Sequence, residues 1–177
     1  DELFIATNQG VYRCKPESTS PALTLVPGTE GQNWHLTEIE GTLYCGQNSS
    51  LLSYRNGQFQ KVPGTSNSST CMRLFQHYNE NCIIESTYSD LRLHKKKDGH
   101  WADPVIIKGF MHPLRQLEAD ADGIIWAADM NIGIHRISLS DDLLSVQEAR
   151  YYSEIGGISA RCFVMKLGSG LFNQKTI

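Results

Sequence analysis

Five apolar doublets recur along the chain at nearly constant spacing. They are Leu3-Phe4, Leu43-Tyr44, Ile83-Ile84, Ile125-Trp126 and Leu171-Phe172, separated by 40, 40, 42 and 46 residues. Most are followed by a polar loop and a second apolar run. A repeat of about 40–45 residues built from short strands cannot bury both faces of its small sheet alone, so each unit has to stack on its neighbours.

The clearest unit predicts strands at 34–39, 41–45, 51–54 and 58–62, with Gln47-Asn48-Ser49-Ser50 as a loop and Asn56-Gly57 as a turn. Asn-Gly tolerates positive φ at both central positions, as a type I′ hairpin requires. A third unit repeats the plan with strands at 72–77, 82–86, 91–94 and, after Asp98-Gly99, 101–107. A fourth has 114–119, 124–128, 133–137 and a longer strand near 146–152, with Gly123 ready for the left-handed position of its first turn. Four antiparallel strands joined by tight turns are one blade of a β-propeller.

The ends are incomplete. Residues 3–14 supply a second and third strand, with a fourth near 23–26 and no innermost strand. Residues 161–167 and 171–172 supply a first and second strand before the chain stops. The expected fold is therefore all-β, a β-propeller fragment of about four four-stranded antiparallel blades plus partial terminal strands. One segment, 1–177, holds approximate blades 1–30, 31–68, 69–110 and 111–158 and a partial blade 159–177. Asp1 stands two residues before a full strand pattern, so the chain reads as a piece of a longer protein.

Bulk properties exclude some functions. The net charge is −3, with 20% charged residues. Such a chain lacks the basic footprint that nucleic acid or an anionic membrane calls for. The basic run Lys95-Lys96-Lys97 adjoins Asp98-Gly99 and reads as a solvated hairpin tip. No apolar run approaches the roughly 18 residues of a membrane span. The five cysteines show no CxxC or zinc-ligand spacing, and an odd count argues against a complete disulfide framework. Cys14, Cys45, Cys82 and Cys162 fall in predicted strands, where a thiol acts as a small buried hydrophobe.

Residues 114–136 carry a further pattern, Leu114-Arg115-Gln116-Leu117, Asp120-Ala121-Asp122-Gly123, Ile125-Trp126-Ala127-Ala128 and Gly133-Ile134-His135-Arg136. It resembles the two-component regulator propeller repeat, whose consensus is close to V-R-x-I-x-x-D-x-x-G-x-L-W-I-G-T-x-x-G-L-x-R. Residues 3–13, ending Thr7-Asn8-Gln9-Gly10-Val11-Tyr12-Arg13, match its second half. The second and third units match loosely: Cys45-Gly46 keeps part of the strand ending, while Ser86-Thr87-Tyr88-Ser89-Asp90 lacks the loop glycine. The resemblance implies a periplasmic sensor domain of a bacterial hybrid two-component system, its parent anchored in the inner membrane. It implies a polysaccharide-derived ligand, with the membrane helix and the kinase both lying downstream of this segment.

Candidate contacts follow from the repeat. Ten residues before the doublets of the last three units stand Arg73, Arg115 and Arg161, with Asn33 at that place in the second unit. Guanidinium groups round one mouth would bind carboxylate or sulfate bidentately. Alternatively, they bond carbonyls or acids of the adjacent blade. Trp34, His35, Tyr88 and His112, in or beside loops, could supply the planar faces that sugars stack on. Trp126 and Trp101 read as packing. The six histidines show no HExxH or similar spacing, and no GxSxG, P-loop or GxGxxG is present. Asp120 and Asp122 are ordinary turn residues. No catalytic residue, metal ligand or cofactor is expected, nor is enzymatic activity. The expected partners are an oligosaccharide or other small ligand and, through exposed sheet edges, a second copy of the chain. A protein-interaction propeller without a small ligand, and a propeller lyase or hydrolase, are the rival functions.

Overall fold

A computed structural model describes residues 2–154, apart from positions 18, 21, 78 and 79. It also describes the strand backbone at 155, 158–159, 162–167 and 170–175. All regular structure among these residues is β. Among the described residues there is no helix, and so none long and apolar enough to cross a membrane. The chain divides into two compact units, Asp1–Thr70 and Cys71–Ile177.

The first unit holds two antiparallel meanders. One is β1 (Leu3–Ala6), β2 (Val11–Cys14) and β3 (Thr24–Leu25); the other is β4 (Asn33–Ile39), β5 (Thr42–Gln47), β6 (Leu51–Arg55) and β7 (Gln58–Lys61). Val11, Val26, Cys45, Leu52 and Phe59 form their shared core, and Phe4 and Tyr54 pack edge to face beside it.

The second unit repeats the design. Its first sheet is β8 (Cys71–His77), β9 (Glu80–Ser86), β10 (Leu91–Lys97), β11 (His100–Trp101) and β12 (Val105–Ile107). The next is β13 (Leu114–Ala119), β14 (Ile125–Asp129), β15 (Ile134–Leu139) and β16 (Val146–Tyr152). Ile84, Leu91, Leu93 and Ile107 from one sheet meet Leu114, Leu117, Ile125 and Ile137 from the other in a single core. The first strands β8 and β13 lie side by side, as inner strands of neighbouring blades do. Short hairpins follow, β17 (Glu154–Ile155) with β18 (Ile158–Ser159) and β19 (Cys162–Leu167) with β20 (Gly170–Lys175), and β19 runs beside β13. Four meander sheets of three to five strands realise the all-β, blade-built fold expected from the doublets.

The doublets occupy equivalent strands, but not all are buried. Ile83, Ile84 and Ile125 are fully buried, whereas Leu3 is 48% exposed because, among the described residues, β1 is the edge strand of its sheet. Trp126 is half-buried and not core: its indole N–H donates to Asp120 Oδ2 (3.0 Å) and its ring stacks near Tyr152. Trp101 is also half-buried and lies under the Lys96 ammonium.

The expected I′ turns have positive φ at both residues, 51° and 84° at Asn56-Gly57 and 52° and 78° at Asp98-Gly99. A third pair, Glu40-Gly41 at 49° and 75°, carried no sequence signal because glutamate has no preference for that region. The strand expected at 101–107 breaks in two at Ala102-Asp103-Pro104. Pro104 has no N–H for the ladder, and the register shifts there by one residue: Trp101 faces Lys96 while Val105 faces Leu93.

Cys14, Cys45, Cys71 and Cys82 are buried free thiols, so Cys71 joins the three that the strand pattern placed inside. The Cys162 side chain lies outside the described residues. Burial pushes the Cys45 thiol up to about 12 and that of Cys82 up to about 11. At pH 8 only about one Cys45 in ten thousand is then thiolate, the reactive form. Iodoacetamide at pH 8 is expected to leave both unmodified in the native protein and to alkylate them in urea, as intact-mass spectrometry would read.

Candidate functional site

Four residues after the first member of each of the first four doublets, the chain leaves the doublet strand and turns. The residues there are Thr7, Gln47, Thr87 and Asp129. At two of these places a threonine hydroxyl organises the turn. Thr7 Oγ1 accepts from Gln9 N–H and donates to the Gly10 carbonyl; Thr87 Oγ1 accepts from Ser89 and Asp90 N–H. At Asp129 one carboxylate oxygen does the same work, Oδ1 accepting from the amides of Asn131 (2.8 Å) and Ile132 (3.2 Å).

The other oxygen is left over, and two imidazoles face it. His135 Nε2 lies 3.1 Å from Asp129 Oδ2, and His112 Nδ1 lies 3.3 Å from the same atom. The Asp129 and His135 side chains are 1% and 5% exposed, whereas His112 is 49% exposed and opens the cluster to solvent.

Each side chain is held by a separate element. Asp129 ends β14 opposite Leu114, His135 is the second residue of β15, and His112 sits on the segment entering β13. Met130 N–H bonds the Pro113 carbonyl (3.0 Å) and fixes the two loops together. Phe110 meets the His135 ring edge to face at 5.0 Å, and Tyr151, bonded through its hydroxyl to the Ile132 carbonyl, closes the other side at 5.5 Å. The His135 pKa is lowered, mainly by burial, with the His112 charge adding to the fall and the Asp129 hydrogen bond opposing it. A neutral imidazole has a lone pair to offer, and a carboxylate with two imidazoles is a donor set for protons, polar ligands or cations.

The residues picked from the repeat are distributed more widely. Arg73 is consumed internally: Nε bonds Glu118 Oε1 at 2.9 Å across to β13, and Nη1 donates to the Met72 carbonyl. That is the structural alternative for this arginine, a bond to an acid of the adjacent blade. Arg115 differs although its sequence spacing is the same. It stands at a β-bulge between Leu114 and Gln116 and is exposed. Pairing of β8 with β9 runs to His77 opposite Glu80, whereas pairing of β13 with β14 ends at Ala119 opposite Ile125. The same spacing therefore puts Arg73 opposite Ile84 but Arg115 beside Asp129, where the bulge then re-aims it. Arg161 lies outside the described residues.

In the first unit the corresponding bulge falls at Trp34, whose indole N–H donates to Asn48 Oδ1 (3.1 Å). Trp34 and His35 lie in β4, in the strand expected at 34–39. His35 is fastened by Thr37 Oγ1 (3.1 Å) and Ser69 Oγ (3.2 Å) and packs on Gly46, so its ring is structural. Tyr88 is 39% exposed on the turn after β9.

Local spacing could not reveal the His112–Asp129–His135 cluster, because 23 residues separate the two histidines. The legible signal was an aspartate at a position that is threonine in two other units. A second polar pair lies inside the core. Glu85 Oε2 is 2.8 Å from His94 Nε2, both residues being buried, and among the described residues Glu85 Oε1 is the buried side-chain oxygen with no hydrogen-bond partner.

Compared with protein-family models and with curated proteins, the chain matches none.

Proposed function

We propose that this chain is part of a periplasmic ligand-sensing propeller of a hybrid two-component system, of the two-component regulator propeller repeat type, and that it reads an anionic polysaccharide-derived ligand. One observation carries the reading. The residues bearing the family pattern fall at the same strand and turn positions in separate sheets, Leu3 to Arg13 on β1–β2 and Leu114 to Arg136 on β13–β15. The preference for an anion rests on Arg115, exposed on its bulge at the start of an inner strand. Binding would shift the population of sensor states that a downstream kinase responds to.

A thermal-shift screen of neutral, uronic-acid and sulfated oligosaccharides tests this. A true ligand at about a hundredfold over its Kd stabilises the fold by about 2.7 kcal/mol, roughly 5–10 °C for a chain of this size. Arg115→Ala is expected to abolish that shift and to leave the ligand-free midpoint within about 1 °C, since the side chain is exposed. Arg73→Ala is expected to lower the ligand-free midpoint through loss of the Glu118 bond and to keep the shift. A screen without any stabilising anion, or an Arg115→Ala protein of unchanged affinity, would refute the reading.

A further inference from the structure

The turn at Asp129 needs only one acceptor, and Thr7 and Thr87 supply it in other units with an uncharged hydroxyl. An aspartate therefore adds a charge that the turn does not require, and does so at a side chain only 1% exposed. A buried carboxylate without a cationic partner is costly. The second oxygen points at two imidazole nitrogens, and the three donor atoms lie within 4.8 Å of one another.

We propose that His112 Nδ1, Asp129 Oδ2 and His135 Nε2 form a binding site for a first-row divalent transition metal, with Zn2+ the preferred ion. Two histidines and one carboxylate are an established donor set for such ions, with bonds of about 2.0–2.2 Å. Tetrahedral bonds of that length put ligand atoms roughly 3.3–3.5 Å apart. Two of the three separations here are already 3.1 and 3.3 Å. The third closes by a small rotation of His112, the half-exposed member.

The surroundings fit the same ion. The amides of Asn131 and Ile132 hold the non-ligating Oδ1 and fix the carboxylate, the outer-shell support that metal sites use. Phe110 and Tyr151 fix the His135 ring. The exposed side at His112 gives an entry path and leaves a fourth position for water. This site is separate from the anion contact proposed at Arg115, and neither depends on the other.

Metal-free protein titrated with Co2+, followed by displacement with Zn2+, tests the site. One Co2+ per chain is expected, with the visible d–d absorption of a low-symmetry four- or five-coordinate centre and no thiolate charge-transfer band. Zn2+ is expected to erase that absorption and to raise the unfolding temperature. His112→Ala removes an exposed ligand, and Asp129→Thr installs the residue that organises the equivalent turns. Each is expected to weaken Co2+ binding at least tenfold while the metal-free protein stays folded. Should Asp129→Thr fail to fold, His112→Ala alone decides. The proposal is overturned by a Kd above about 1 mM, by a thiolate band that sends the metal to the cysteines, or by less than tenfold weakening in His112→Ala.

Discussion

Replacing His94 with alanine is expected to destabilise the protein by about 3–5 kcal/mol, a large part of the stability of an ordinary domain. Glu85 is completely buried and His94 nearly so, and their contact at 2.8 Å gives the carboxylate its side-chain partner. The two sit on adjacent strands: Glu85 pairs with Arg92, so His94 is its diagonal neighbour on the same face. Oε1 already lacks a hydrogen bond. Without the imidazole neither carboxylate oxygen would keep a hydrogen-bond partner seen in the structure, and the cost is that of a stranded polar group and not merely of one lost bond. The double variant Glu85→Leu/His94→Leu removes donor and acceptor together and is expected to recover most of the loss. Urea denaturation of the two single variants and the double one would measure the coupling. A loss below about 1 kcal/mol in His94→Ala would show that water or relaxation replaces the imidazole.

The same pair marks a limit of what the chain declares in one dimension. The apolar doublets and runs and the Asn-Gly and Asp-Gly turns announced the strands, because each of those signals lies between residues close in sequence. Tertiary polar pairing has no such signature. Glu85 sits between Ile84 and Ser86 in a run that reads simply as strand, and nothing local says that its side chain is inside. His135 was likewise visible as a strand residue, yet its meaning depends on His112, brought near by the loop that leads into β13. Among the described residues, equal spacing misled at the arginines. Arg73 and Arg115 stand equally far from their doublets, but the β13–β14 hairpin has the longer connection, so Arg115 falls beside Asp129 on the bulge and is exposed while Arg73 lies opposite Ile84 and reaches Glu118.

Gly46 yields the second large effect, and its position in the repeat supplies the control. In the first four units the residues three after the first doublet member are Ala6, Gly46, Ser86 and Ala128, all small. By the pattern alone, Gly46→Ala should be harmless, the more so because Gly46 has no positive φ to lose. The surroundings say otherwise. A Cβ on Gly46 would run into the His35 ring and into the Ser69 carbonyl oxygen, both closer than a real Cβ tolerates. The ring is pinned by Thr37 and Ser69, and the Ser69 backbone by its N–H bond to the Gln47 carbonyl at 2.9 Å. Overpacking of this kind costs about 1–3 kcal/mol, and a backbone atom that cannot rotate away puts the expectation at the upper end. In the fourth sheet the residue opposite Ala128 is Gln116, as His35 is opposite Gly46. Gly46→Ala/His35→Gln therefore copies a pairing this chain already uses. It is expected to recover the part of the loss due to the ring and to retain the part due to the Ser69 carbonyl. A double-mutant cycle by chemical denaturation separates the two. Full recovery would show that the backbone at Ser69 yields; no destabilisation in Gly46→Ala would show that β5 moves away from both neighbours.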